Sequence, residues 1–140
     1  MKRSPIKRTG FKRKKPKAKS ATWYKRKVVE AFMAGYRGQP CAVCGTTERT
    51  CAHHILAKGS HPAHIITPEN IIVLCPSHHI FSNHMAAHSK NSFAVERFTD
   101  WMKINKFDQY KWGREHEWDK KNYKWKQVYE QMKKEQKGGE

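Results

Sequence analysis

The side chains best suited to metal chemistry lie between residues 41 and 84, where all four cysteines and most of the nine histidines occur. Among them are two pairs with two residues between the partners, Cys41 with Cys44 and Cys75 with His78. Structural zinc takes four sulfur or nitrogen ligands in a tetrahedron, and closely spaced pairs of this kind supply them. The sequence therefore predicts a structural Zn²⁺ bound by these four residues, with the adjacent His79 as an alternative fourth ligand.

Two nearby residues have simpler interpretations. Gly45 follows the first pair and permits the tight backbone turn that such a pair makes. Cys51 lies off the paired spacing, and we expect it to be a small buried side chain. Because the N-terminus has no apolar signal segment, we expect thiols and metal-bound thiolates in a reducing cytoplasm rather than disulfides.

A second group of residues predicts a metal site with open positions. Adjacent residues of a strand point to opposite sides, so His53 can bind an ion while His54 faces a substrate. His79, on the first turn of a following helix, can meet His53 across that ion, and Asn83 or His84 is a candidate further ligand about one turn later. Phosphodiester hydrolysis needs a base near neutral pH and a cation, and these residues supply the base and the ligands for the cation. The ion would be Mg²⁺ or Mn²⁺, with Ni²⁺ and Zn²⁺ as alternatives suited to imidazole.

The charge of the chain predicts a nucleic-acid partner. It carries 29 Lys and Arg against 12 Asp and Glu, a formal net charge of +17. Residues 1–19 are basic and low in complexity, so we expect a disordered tail that contacts phosphates without sequence preference. The residues assigned to nucleic-acid binding are Lys12, Arg13, Lys14, Lys15 and Lys17. No apolar run is long enough to span a membrane, so no membrane partner is expected.

Hydrophobic periodicity predicts an α+β fold. Apolar stripes indicate a helix in residues 20–38, capped by Ser20 or Thr22 and packed on the metal-bound centre. Short strands are predicted at 49–56 and 70–75, followed by a helix through residues 77–88. Two amphipathic helices, 90–105 and 114–136, should follow, with a turn or short helix between them. The predicted organisation is a tail (1–19), a helix (20–38), a ββα-metal domain (39–88) and a helical extension (89–140).

The central segment resembles the HNH endonuclease family, which is built on a ββα-metal core. The matching residues are Cys41-x-x-Cys44-Gly, His53-His54-Ile55, Asn70 before an apolar strand, and Leu74-Cys75-x-x-His78-His79. The resemblance implies that His53 and His79 bind the catalytic ion, that His54 is the general base, and that Asn70 fixes the loop that orients the base. It also implies DNA hydrolysis to 5′-phosphate and 3′-hydroxyl ends. The second pair ends in His78, where the family usually has cysteine.

The basic head and the aromatic C-terminal helices are similar to phage recombination nucleases of the NinG type. That similarity implies a phage or prophage protein that acts on recombination or replication intermediates in the bacterial host cytoplasm. Phage recombination or packaging proteins are candidate partners. The competing interpretation is a non-catalytic zinc module that binds nucleic acid, with Asn70 as a turn residue only. The remaining histidines are expected to be solvated or adjacent to a site: His61, His64, His88 and His116. The oligomeric state is left open.

Overall fold

A computed structural model describes residues 17–139 of the chain, which form a small α+β fold. Its regular elements are α1 (Ala21–Ala34), β1 (Cys51–His54), β2 (Ile71–Leu74), α2 (Ser92–Asn105), α3 (Phe107–His116) and α4 (Trp125–Lys137). A single π-helical turn, Ser77–Phe81, follows β2. The assigned basic residues Lys12, Arg13, Lys14 and Lys15 lie outside the described range, whereas Lys17 is described and exposed.

Strands β1 and β2 pair antiparallel, and their register positions the site. His53 lies opposite Ile72, and His54 lies opposite Ile71. All four residues of β2 are buried, as its continuous apolar sequence predicts. The prediction of two short strands is confirmed, although each is shorter than expected.

The core forms where α2 packs on β2 and the cysteine pairs. Phe98 and Met102 of α2 are buried against Ile72 and Leu74. Helix α2 begins after Asn91, whose side-chain oxygen accepts a hydrogen bond from the Phe93 amide at 3.0 Å. Asn favours this position because its side-chain oxygen accepts from an amide of the first turn that has no partner within the helix.

Helix α3 is joined to the sheet by a side chain and by a close approach. The Gln109 Nε2 group donates to the carbonyl of Ile71 at 2.9 Å. A Cβ at Gly113 would lie 3.4 Å from a methyl carbon of Ile55, so only a small residue lets the helix come this near. The extension after residue 88 is therefore packed directly on the metal-binding segment.

Helix α1 packs mainly against α4. The Ser20 hydroxyl caps it by accepting from the Trp23 amide at 3.2 Å, and the Trp23 and Tyr129 rings lie 5.5 Å apart. The expectation that α1 packs on the metal-bound centre holds only for the end of the helix. Its last turn does reach that region, where Met33 lines a cleft with the central histidines.

Two predicted helices end or begin elsewhere. The helix predicted through residues 77–88 stops at Phe81, because Ser82 turns to an extended conformation and its hydroxyl accepts from the amides of His84 and Met85. The helix predicted from residue 114 begins only at Trp125. In the intervening segment, the Tyr123 hydroxyl donates to the carbonyl of Ala63 at 2.7 Å. No helix within residues 17–139 is long and apolar enough to cross a membrane.

Candidate metal centre

The two cysteine-containing pairs converge in space. The Sγ atoms of Cys44 and Cys75 lie 3.8 Å apart, and His78 Nδ1 lies 3.3 Å from the sulfur of Cys75 and 3.7 Å from that of Cys41. A tetrahedron with Zn–S bonds of about 2.3 Å has edges of about 3.8 Å, so the four side chains fit a zinc ion. The cluster has the composition and spacing of a structural zinc site, and the ligand that joins the cysteines is His78 rather than His79.

The backbone around Cys41 favours the thiolate form of this residue. Burial disfavours the charged form of Cys41, but hydrogen bonds from the amides of Cys44, Cys75 and Val43 lower its pKa to about 6. Gly45 has a φ of 75°, which a glycine adopts without strain, and its amide donates to the Cys41 carbonyl at 2.8 Å. The turn predicted from Gly45 is therefore confirmed, and it directs amide groups at a sulfur that a metal ion requires in ionised form.

A second cluster contains histidines alone. The rings of His53 and His79 lie 5.2 Å apart, and the ring of His88 lies 4.7 Å from His53 and 5.3 Å from His79. One nitrogen of each ring lies within 4.8 Å of the others, a separation that one metal ion can bridge. The structure thus brings together the predicted ligands His53 and His79, and adds a third imidazole.

His88 reaches this cluster through a returning loop. Its amide donates to the carbonyl of His79 at 2.8 Å, and the amide of Ala87 donates to the carbonyl of His78 at 2.9 Å. These two bonds align the loop beside the π-helical turn. His88 was expected to be only solvated or adjacent to a site, and periodicity could not find it because it lies beyond the end of the helix.

The third position of the cluster is occupied by His88 rather than by Asn83 or His84. Asn83 is exposed, and its carbonyl accepts from the side chain of Asn91 at 3.2 Å. His84 Nδ1 accepts from the Arg97 guanidinium at 2.7 Å. Both positions were assigned on the assumption of a continuous helix, and the chain leaves that path at Ser82.

Burial favours the neutral form of His53 and His79, two members of the histidine cluster. Burial, with the nearby His88, His79 and His54, lowers the pKa of His53 to about 3. Burial and His88 also lower the pKa of His79. Neutral imidazoles are the form that binds metal ions. His79 Nδ1 lies 3.5 Å from the sulfur of Cys51, so the half-buried Cys51 contacts a candidate ligand rather than serving as one.

His54 makes a different contact from its neighbour. It is buried, and its Nε2 lies 2.9 Å from the carbonyl oxygen of Ile65. A carbonyl can only accept, so Nε2 carries the hydrogen, and in the neutral ring Nδ1 has a free lone pair. The Ile65 carbonyl therefore fixes both the orientation and the tautomer of His54, and leaves one nitrogen able to accept a proton.

Asn70 has no exposed surface and holds the loop that carries Ile65. Its side-chain oxygen accepts from the Leu56 amide at 2.6 Å. Its amide group donates to the carbonyls of Leu56 and His64, each at 3.0 Å. Its side chain therefore bonds to the backbone both just after β1 and in this loop, so Asn70 is more than a turn residue.

Three consecutive carbonyls of the loop each accept from a different side chain. Tyr123 donates to Ala63 at 2.7 Å, Asn70 donates to His64, and His54 donates to Ile65. The loop is therefore held by the strand, by the residue before β2, and by the segment between α3 and α4.

His53, His54, His79 and His88 all line one cleft of about 330 Å³. The exposed Lys58 lies at the same cleft and adds a positive charge. The arrangement combines three metal-binding nitrogens, a histidine with an oriented lone pair, and a cation. Such a set can bind an anionic group and remove a proton beside it.

Comparison of the chain with family models, with curated proteins and with solved structures finds no match in any of the three. The interpretation of the site therefore depends on its own residues and their geometry.

Proposed function

We propose that the protein is a metal-dependent endonuclease of the HNH type that hydrolyses phosphodiester bonds in DNA. The observation that supports this most directly is a single cleft lined both by His54 and by the three histidines of the second cluster. These three, His53, His79 and His88, are called the histidine trio below. A zinc module that only binds nucleic acid needs the cysteine cluster and positive charge, but has no use for a second, cysteine-free cluster beside an oriented histidine.

In this proposal His54 is the general base. Its Nδ1 accepts the proton of the attacking water, while the Nε2–H bond to Ile65 holds the ring in place and stabilises the imidazolium that forms. Asn70 is a positioning residue, because it fixes the loop that presents the Ile65 carbonyl. Lys58 draws a phosphate of the DNA backbone toward the cleft.

The histidine trio would bind the catalytic ion. A divalent ion supplies Lewis-acid stabilisation of the charge that develops on the phosphate and leaving oxygens. Three imidazoles suit Mn²⁺, Ni²⁺, Co²⁺ or Zn²⁺ better than Mg²⁺, which prefers oxygen ligands. The donor set therefore favours the transition metals among the ions expected from the sequence.

The remaining elements of the proposal come from charge and resemblance. A net charge of +17 favours DNA as the polyanion and predicts affinity that falls steeply with salt. The similarity to NinG-type nucleases suggests a substrate formed during phage recombination or replication, in the cytoplasm of a bacterial host. By the HNH resemblance, the products would carry 5′-phosphate and 3′-hydroxyl ends.

The test is cleavage of supercoiled plasmid by the full chain, with its cysteine site loaded with zinc, in Mg²⁺, Mn²⁺, Ni²⁺ or EDTA. His54→Ala should reduce cleavage by about a hundredfold or more, the usual contribution of a general base. His61→Ala is the matched control, since His61 bonds only to its neighbour Ser60 through its side chain and should leave cleavage unchanged.

Gel-shift measurements on the same proteins separate binding from chemistry. The proposal requires that wild type, His54→Ala and His61→Ala bind DNA equally and differ only in cleavage. If wild type binds DNA but cleaves neither plasmid, branched DNA nor RNA with any of the metals, the nuclease assignment fails. The non-catalytic zinc module is then the correct interpretation.

A further inference from the structure

A third cluster of metal-binding side chains lies outside the two in the core. Asp119 Oδ2 lies 3.0 Å from His64 Nε2 and 2.8 Å from His116 Nδ1. All three candidate ligand atoms lie within 4.8 Å of one another. The sequence did not suggest this cluster, because both histidines were expected to be solvated or adjacent to a site and Asp119 was placed inside a helix.

The donor set matches the preferences of the late first-row transition metals. Two imidazoles and one carboxylate bind Zn²⁺, Ni²⁺, Co²⁺ and Cu²⁺ well, whereas Ca²⁺ and Mg²⁺ prefer oxygen alone. Bonds of about 2.0–2.1 Å place neighbouring ligand atoms about 3 Å apart in an octahedron and about 3.4 Å apart in a tetrahedron. The two separations from Asp119 Oδ2, 3.0 and 2.8 Å, are close to the octahedral value, and the third lies within 4.8 Å.

The three ligands are held by different parts of the protein. His64 ends a 3-10 turn, and its carbonyl is held by Asn70. His116 is the last residue of α3, and its carbonyl accepts from the Asp119 amide at 3.1 Å. The ring of Trp112 lies 4.9 Å from each imidazole and forms an apolar wall beside them. The ligands are therefore arranged before any ion binds.

The cluster is also open to solvent. The side chain of His64 is 13% exposed and that of Asp119 is 45% exposed. An ion can therefore enter from solution and complete its coordination with water.

We infer that His64, His116 and Asp119 form a third divalent-metal site, specific for transition metals and separate from both core clusters. Its role is structural. It joins α3 and the segment after it to the loop of Ala63, His64 and Ile65. His54 donates a hydrogen bond to this loop through the Ile65 carbonyl. The inference does not depend on the proposed nuclease activity.

Trp112 provides a reporter for the test, because Ni²⁺ and Cu²⁺ quench the fluorescence of a nearby indole. The full chain would carry His88→Ala, which removes one ligand of the histidine trio, and would have zinc in its cysteine site. Ni²⁺ is then titrated, bound metal is measured by equilibrium dialysis and mass spectrometry, and fluorescence is recorded. Trp112→Phe in the same background identifies which part of the signal comes from Trp112.

Asp119→Asn and His116→Ala, each added to His88→Ala, should weaken Ni²⁺ binding by roughly tenfold or more and abolish the Trp112 signal. Asp108→Asn and His61→Ala are the matched controls and should change neither reading. Circular dichroism and zinc content verify that each variant is folded. If the Asp119 and His116 variants bind Ni²⁺ as tightly as the His88→Ala protein, or if that protein binds none, the inference is wrong. The cluster is then a hydrogen-bonded link between the loop and α3.

Discussion

Replacing Asn70 with alanine tests how much the buried loop anchor contributes to stability. The substitution removes three hydrogen bonds, two to the backbone of Leu56 and one to the carbonyl of His64. Asn70 has no exposed surface, so water reaches the freed groups poorly. A buried backbone group without a partner costs about 1–3 kcal/mol, so the freed amide and carbonyl of Leu56 give a loss of at least about 2 kcal/mol. The His64 carbonyl adds less, because it still accepts from the Thr67 amide at 3.3 Å.

The assay is urea unfolding of the zinc-loaded protein followed by circular dichroism. With a slope of about 1.5 kcal/mol per M, a loss of about 2 kcal/mol lowers the midpoint by about 1.3 M. Asn83→Ala is the matched control, because Asn83 is exposed and should change stability by less than about 0.5 kcal/mol.

Asn70→Asp sharpens the test by keeping the shape of the side chain. The aspartate can still accept from the Leu56 amide, but it places a carboxylate oxygen against two carbonyls. We expect destabilisation at pH 7 that lessens as the pH falls and the carboxyl gains a proton to donate. Equal midpoints for Asn70→Ala and Asn83→Ala, or an Asn70→Asp variant as stable as wild type at pH 7, would refute the reasoning.

Three further predictions concern the stability of the folded protein. Gly45→Ala forces a φ of 75° on a residue with a Cβ, and should cost about 1 kcal/mol in thermal unfolding with zinc bound; no change would be evidence against the turn geometry. Tyr123→Phe removes the donor to the Ala63 carbonyl and should cost about 1 kcal/mol, whereas Tyr129→Phe, the matched control, should cost less. Burial lowers the pKa of His53 to about 3 in the folded protein, so the unfolded chain binds a proton at higher pH than the folded chain does. For protein with one zinc bound per chain, the free energy of unfolding should therefore fall as the pH drops from about 6.5 toward 3, by up to about 1.4 kcal/mol per pH unit. The slope should be smaller in His53→Gln, and equal slopes would contradict the low pKa.

Local spacing made the cysteine cluster predictable. Two residues separate Cys41 from Cys44 and Cys75 from His78, and each pair needs only a turn to direct both side chains at one point. The strands could also be predicted from the sequence, because the continuous apolar run of β2 is typical of a buried strand. Adjacent side chains of a strand point to opposite sides, so strand geometry alone predicts that His53 and His54 contact different residues.

The third histidine of the core cluster could not be read from periodicity. His88 lies nine residues after His79, and it reaches the cluster only because the chain leaves the helical path at Ser82 and returns through two backbone hydrogen bonds. The cluster of His64, His116 and Asp119 was hidden for a related reason. Its members come from separate segments, and Asp119 lies in a stretch that the helical pattern had assigned to α4.

The boundary drawn after residue 88 separates segments that the structure packs together. Phe98 and Met102 of α2 belong to the same core as Leu74. Beyond α2, Gly113 approaches Ile55 closely enough that a side chain would meet it. Tyr123 then holds the loop whose next carbonyls accept from Asn70 and His54. The position of the His54 imidazole depends on this loop, and the two short strands alone do not hold the loop in place. The extension therefore contributes to the orientation of His54.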